Sequence, residues 1–122
     1  MFLFSTTDVP IVYITTNETV TVPFLSHFEI SASVQNVTGF PKVTKTKWQK
    51  LYNDIETDVN ITESRYKGST ADLSHPVLVI NGVDFDNDNG SSYQLAALNS
   101  VGWGRSLNLS TITVIGSTCI LK

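Results

Sequence analysis

The stretch Tyr93-Gln94-Leu95-Ala96-Ala97-Leu98-Asn99-Ser100-Val101-Gly102 decides how this chain folds. Residues 93–98 read as a strand and 99–102 as the turn it runs into. Tyr93 and Leu95 share one face of that strand; Gln94, Ala96 and Leu98 share the other. Outward from it, short alternating runs recur and helical periodicity is hard to find. Val12, Ile14, Val20 and Val22 read as an edge strand broken at Thr15-Thr16-Asn17 and flanked by Pro10 and Pro23. Phe28, Ile30, Ala32 and Val34 keep period two, with one apolar face. Residues 36–41 read as a loop. Thr44, Thr46 and Trp48 share a parity, opposed by Lys45, Lys47 and Gln49. Residues 52–57 read as a turn region with weak strand character. Val59 and Ile61 begin a strand toward Tyr66, and 67–70 form a turn. Residues 77–80 make a strand, 84–90 an acidic loop and 105–114 the last strand. Seven to nine short strands joined by polar turns predict a sandwich of two antiparallel sheets.

At 122 residues the chain has one domain's worth of sequence. The segments are an N-terminal stretch 1–9, a domain 10–114 and a tail or linker 115–122. Hydrophobic content of 41% with 16% charged residues fits a packed domain rather than a disordered chain. A net charge of −3 argues against a nucleic-acid surface, and Lys42, Lys45, Lys47 and Lys50 read as a solvated face. Cys119 is the single cysteine, so no disulfide forms within the chain. Met1-Phe2-Leu3-Phe4 is too short for a signal peptide. No apolar run reaches the roughly 18 residues of a membrane-spanning helix. The last four residues outline a prenylation box, but Lys122 is not a favoured terminal residue for one.

Four features, in order, resemble the immunoglobulin superfamily. Trp48, followed by Gln49-Lys50, resembles the core tryptophan of strand C. Leu78-x-Ile80-x-x-Val83 resembles strand E. Arg65-Tyr66-Lys67-Gly68-Ser69 is similar to the start of strand D in variable-type domains. Tyr93-x-Leu95-x-Ala97-x-Asn99-x-x-Gly102 resembles strand F, with Tyr93 at the tyrosine corner. One family position departs: Leu95 stands where the second disulfide cysteine belongs. The resemblance places the first cysteine position at Ala32, with Val34 the alternative. It therefore implies a core of Ala32, Trp48, Leu78, Ile80, Tyr93 and Leu95, with packing in place of the bridge. It also implies that Arg65 pairs with an aspartate before strand F: Asp88, or else Asp86. The separation of 45 from Trp48 to Tyr93 is close to the variable type, whereas the turn after Leu98 is nearer the intermediate type. The expectation is a variable-like Greek-key sandwich of eight or nine strands.

No catalytic constellation is visible. His27 and His75 have no second ligand at metal spacing and read as loop residues. Asp84-Phe85-Asp86-Asn87-Asp88-Asn89-Gly90 alternates carboxylates as a calcium loop does. Its glycine falls one position late, however, and Leu95 occupies the place of the required bidentate glutamate. The expectation is no enzyme, cofactor, metal or small-molecule substrate. Five N-glycosylation sequons, at Asn17, Asn36, Asn60, Asn89 and Asn108, favour the secretory route.

The resemblance puts partner binding on the sheet holding strands G, F, C and C′. Its outward residues are expected to be Lys45, Lys47, Gln49, Gln94, Ala96 and Leu98, joined by Trp103 on the tip between Gly102 and Gly104. A glycan on Asn108 would shield one edge of that sheet. The look is similar to invertebrate allorecognition and adhesion receptors. This implies an extracellular, cell-surface module of a membrane-anchored multi-domain receptor. Its partner would be a protein, with another copy of itself on an opposing cell as the homophilic case. The alternative is a cytosolic structural module like the disulfide-free immunoglobulin domains of giant muscle proteins.

Overall fold

The computed structural model describes residues 9–35 and 41–116. Asn36, Cys119 and most of both terminal segments lie outside the described residues. Nine strands, a 3-10 turn at Ser64–Tyr66 and one α-helical turn are described: β1 Val12–Ile14, β2 Thr19–Pro23, β3 Phe28–Val34, β4 Lys45–Tyr52, β5 Ile55–Asp58, β6 Val77–Ile80, α1 Phe85–Asp88, β7 Ser92–Leu98, β8 Trp103–Arg105 and β9 Ser110–Ile115. They build two sheets. One is ordered β1-β3-β6; the other is ordered β2-β9-β7-β4-β5, with β8 also paired to β7.

Alternation accounts for the inner layer. In β3, Ile30 and Ala32 turn inward; in β9, Ile112 and Val114 do the same. Trp48, Tyr93, Leu95, Leu78 and Ile80 are at most 1% exposed and join these in one cluster. Ala32 is buried in the same cluster, and Val34 packs at its edge. Each fully buried aliphatic side chain of this kind contributes about 1.5–3 kcal/mol. The Trp48 indole spends its polar edge on the carbonyl of Thr70, at 3.2 Å.

The break at residues 15–17 moves the chain between sheets. β1 pairs antiparallel with β3, whereas β2 pairs parallel with β9. On its other side β1 is held by the segment between β8 and β9. Leu107 N–H donates to the Val12 carbonyl at 2.9 Å. The Asn108 side chain accepts from Ile14 N–H at 2.8 Å and donates to Ile14 C=O at 2.9 Å. It completes the edge as a neighbouring strand would. Gly104 permits this approach, because a Cβ there would lie 2.1 Å from the Pro10 carbonyl oxygen.

Several segments differ from the sequence expectation. Residues 52–57 form a tight hairpin: Asn53 and Asp54 have φ of 51° and 64°, the conformation a two-residue primed turn requires. No strand runs from Val59 to Tyr66. Asn60 instead accepts from Thr62 N–H, Glu63 N–H donates to the Asn60 carbonyl, and a 3-10 turn follows at Ser64–Tyr66. Side-chain and local turn bonds there compete with a ladder. Beyond the turn a single bridge joins Thr70 to Val77. The Ser69 hydroxyl donates to the Val79 carbonyl and accepts from its N–H, serving the edge of β6 in place of a strand. The last strand is split into β8 and β9: Ser106 still bonds Leu95 of β7, and then Leu107 and Asn108 turn to hold β1. The acidic loop contains the helical turn α1, capped by Asp84 accepting from Asn87 N–H at 2.8 Å.

Leu95 occupies the disulfide position and is fully buried, so Leu95→Ala is expected to cost about 2–5 kcal/mol. Leu95→Met, which keeps the volume, is expected to cost under about 1.5 kcal/mol. Urea denaturation of the two variants checks both figures.

Candidate functional site: the outer face of the six-stranded sheet

Strand pairing sets the rows of this face. Lys45 lies opposite Leu98, Lys47 opposite Ala96 and Gln49 opposite Gln94. Across the other side of β7, Leu98 faces Trp103 and Ala96 faces Arg105. β5 adds Asp58 beside Gln49 and Glu56 beside Leu51. Period two puts all of these side chains on the side of the sheet away from the core.

They form one connected network. Trp103 lies under two ammonium groups, Lys47 Nζ at 4.4 Å and Lys45 Nζ at 5.9 Å from the ring centre. Lys47 continues to Asp58 Oδ2 at 3.2 Å, and Gln49 Nε2 donates to Asp58 Oδ1 at 3.0 Å. Gln94 Nε2 donates to Gln49 Oε1 at 2.9 Å and to Glu56 Oε2 at 2.8 Å. Arg105 closes on Glu56 through two bonds of 2.8 and 2.9 Å. This fork-to-fork geometry is the strong form of the pair. Within this network the Arg105 guanidinium, and then the Gln94 amide, hold the Glu56 carboxyl below its ordinary 4.5. The Gln49 amide, and then Lys47, hold Asp58 below its ordinary 3.8.

The network corrects the sequence expectation for three residues. Gln49, Gln94 and Ala96 are 3%, 4% and 1% exposed, so they are not free contact residues. The long side chains of Arg105, Glu56, Lys47 and Trp103 lie over them. Lys45 is exposed, and Lys47, Leu98 and Trp103 are half-buried. Trp103 belongs to β8 and pairs with Leu98, so it sits on the sheet and not on a loose tip. Glu56, Asp58 and Arg105 were missed in the sequence. The signal was the two-residue Asn53-Asp54 turn, which fixes β5 against β4 and brings both carboxylates onto this face.

A second charged centre lies at one end of the sandwich. Asp88 is fully buried, and Arg65 Nη2 donates to both of its oxygens at 2.7 Å. Asp84 N–H donates to the same carboxylate at 2.8 Å, and the Tyr93 hydroxyl makes a long 3.5 Å contact. Burial pushes the Tyr93 hydroxyl far up, so it stays protonated. Asp86 takes no part in this pair. With Asp84 capping α1 and Asp88 bound to Arg65, two of the loop's three carboxylates are already used. Among the described residues no three His, Cys, Asp or Glu side chains converge as a metal site requires. His27 sets its ring nitrogens against Glu29 Oε2 at 3.0 Å and Asn81 Oδ1 at 3.3 Å, and these acceptors raise its pKa above 6.5.

The sequons divide. Asn17 and Asn60 are exposed, whereas Asn89 and Asn108 are half-buried. Asn108 is not the outward strand residue expected, because its amide is bonded to the backbone of β1.

The two sheets, with the split first strand serving one and then the other, are those of an immunoglobulin-like β-sandwich. Neither a protein-family model nor a curated protein matches the chain. Among solved structures 1328 chains match, a breadth that speaks for the architecture and not for a partner. One of them is murine CRIg, with 16% identity and a TM-score of 0.59 over 86% of this chain and 98% of that chain. At that identity the likeness shows the fold alone.

Two outcomes are expected from these geometries. In Arg105→Ala, the Glu56 carboxyl titrates closer to 4.5 than in the parent, as followed by carbon NMR. A depressed carboxylate contributes stability above its unfolded pKa and loses it as pH falls through the folded one. The network therefore loosens only in acid, below the ordinary carboxylate range. Separately, Arg65→Leu strands a buried carboxylate and is expected to cost on the order of 3–5 kcal/mol in urea denaturation.

Proposed function

We propose that this domain is an extracellular recognition module that binds protein through the outer face of the six-stranded sheet, with a second copy of itself as the homophilic partner. The observation that carries this reading is the Trp103 ring, held on the sheet opposite Leu98 and under the ammonium groups of Lys45 and Lys47. An aromatic side chain already fixed by its neighbours loses little freedom on binding, which is what a hot spot needs. The surrounding charges support a self-contact. Lys47 and Arg105 are neutralised by Asp58 and Glu56, so two such faces meet without strong like-charge repulsion. The sequons favour the secretory route and hence a cell-surface setting in a larger receptor. The resemblance of the chain's motifs to those of invertebrate self/non-self receptors points the same way.

A cytosolic structural module is the second reading, favoured by the absence of cysteine from the core. In that case the outer face is simply a solvated, self-satisfied surface.

Sedimentation equilibrium up to high micromolar concentration, with Cys119→Ser as background, tests the proposal. Weak dimerisation is expected, with strength in the receptor coming from avidity. Trp103→Ala is expected to weaken it by about thirtyfold, the size of a hot-spot loss. Leu98→Arg is expected to abolish it. A strict monomer overturns homophilic binding by the isolated domain. Dimerisation indifferent to both substitutions overturns the face.

A further inference from the structure

Resting on the secretory reading above, we propose that Asn17 and Asn60 carry the N-glycans among the described residues, and that Asn89 and Asn108 serve the fold and carry none. In the transfer, asparagine Nδ2 attacks the anomeric carbon of a polyprenyl-pyrophosphate-linked oligosaccharide. The N–C bond forms as the bond from that carbon to the pyrophosphate oxygen breaks, the electron pair leaving with the pyrophosphate. Nδ2 gives up one proton and keeps one N–H. An acceptor asparagine thus needs open space around Nδ2 in the finished fold.

Asn17 and Asn60 have it. Both are exposed, and so are Thr19 and Thr62, the hydroxyl residues of their sequons. Asn60 uses only Oδ1, accepting from Thr62 N–H and from the Thr62 hydroxyl. Asn108 is the opposite case. Its Oδ1 and Nδ2 are both spent on Ile14, at 2.8 and 2.9 Å, against the edge of β1. Its sequon hydroxyl, on Ser110, is fully buried and donates to the Asn17 carbonyl at 2.8 Å. A sugar on Nδ2 there would lift β1 from the segment between β8 and β9. A chain so modified before folding cannot seat β1, and it is not expected among secreted molecules. Asn89 accepts from Val114 N–H at 3.0 Å, and the Ser91 hydroxyl of its sequon is fully buried against the Asn87 carbonyl.

The two open sites have a shared consequence. Asn17 precedes β2 and Asn60 follows β5, the two lateral edges of the same sheet. Glycans there hinder strand addition at both free edges while leaving the Trp103 face uncovered. The shield expected from Asn108 is removed.

The test is site mapping of the full chain secreted from eukaryotic cells behind an added leader. An amidase that hydrolyses the glycosylated side-chain amide in heavy-oxygen water turns that Asn into a labelled Asp, releases the glycosylamine and so marks each occupied position for peptide mass spectrometry. Asn17 and Asn60 are expected to be marked, and Asn89 and Asn108 unmarked. A marked Asn108 or Asn89, or unmarked Asn17 and Asn60, overturns the assignment. The leader forces entry, so this outcome is independent of where the protein resides. Protein from its native source that is bare at every sequon would overturn the secretory reading alone. In unglycosylated bacterial protein, Asn108→Asp is expected to lower the urea midpoint, whereas Asn17→Gln and Asn60→Gln leave it unchanged. An Asn108→Asp midpoint equal to the parent's overturns the structural role.

Discussion

A carboxylate sealed from water at Asp88 sets the terms for one whole end of this domain. A buried charge of that kind persists only when it is paired and hydrogen-bonded. Arg65 meets it with Nη2 on both oxygens, and the Asp84 N–H adds a third bond. Arg65 is in turn held by Asn81, whose backbone N–H and side chain both donate to the Arg65 carbonyl. The 3-10 turn, the end of β6, the helical turn α1 and the start of β7 are thereby tied to one point. Burial alone pulls the Arg65 guanidinium down. The Asp88 bonds and charge more than offset this, and its affinity for the proton rises. Lys50, drawn toward the same end, donates to the Asn87 carbonyl at 2.7 Å, and burial lowers its pKa.

The edge at β1 is closed by amides instead of charges. No disulfide is available, so β1 is held by the Asn108 side chain, the Leu107 N–H and the close approach that Gly104 allows. Between these margins the sheets are joined by the packing of Trp48 and Leu95 with Ala32 in the shared core. A disulfide acts largely by restricting the unfolded chain, whereas these contacts act in the native state. Stability without the bridge therefore depends on every member of the core being well packed.

The outer face shows how a sheet can cover itself. β7 is buried on both faces along most of its length, although one face looks away from the core. Side chains from β4, β5 and β8 lie across it and satisfy one another, with Lys45, Glu56, Asp58 and Arg105 exposed and Trp103 half-buried among them. This arrangement makes the surface rigid and nearly charge-balanced, and these properties suit a recognition face.

The two-sheet architecture was legible in the chain because its cause is local. Alternation in Phe28-x-Ile30-x-Ala32-x-Val34 chooses an inner face within a few residues, and the pattern around Tyr93 marks the central strand. The same local rule says which side of β4 and β7 Gln49, Gln94 and Ala96 occupy, and it says nothing about what lies above them. Their cover comes from Glu56, Asp58 and Arg105, brought near by a hairpin and by strand pairing. Asn108 is similar: its sequon is written in three consecutive residues, but its partner Ile14 is 94 positions away. The sequence alone therefore determined the two-sheet fold and the parity of β3, β4 and β7, since these follow from neighbours along the chain. Only the tertiary structure decided which outward residues are covered and which asparagines are free, because those depend on contacts between segments far apart in the chain.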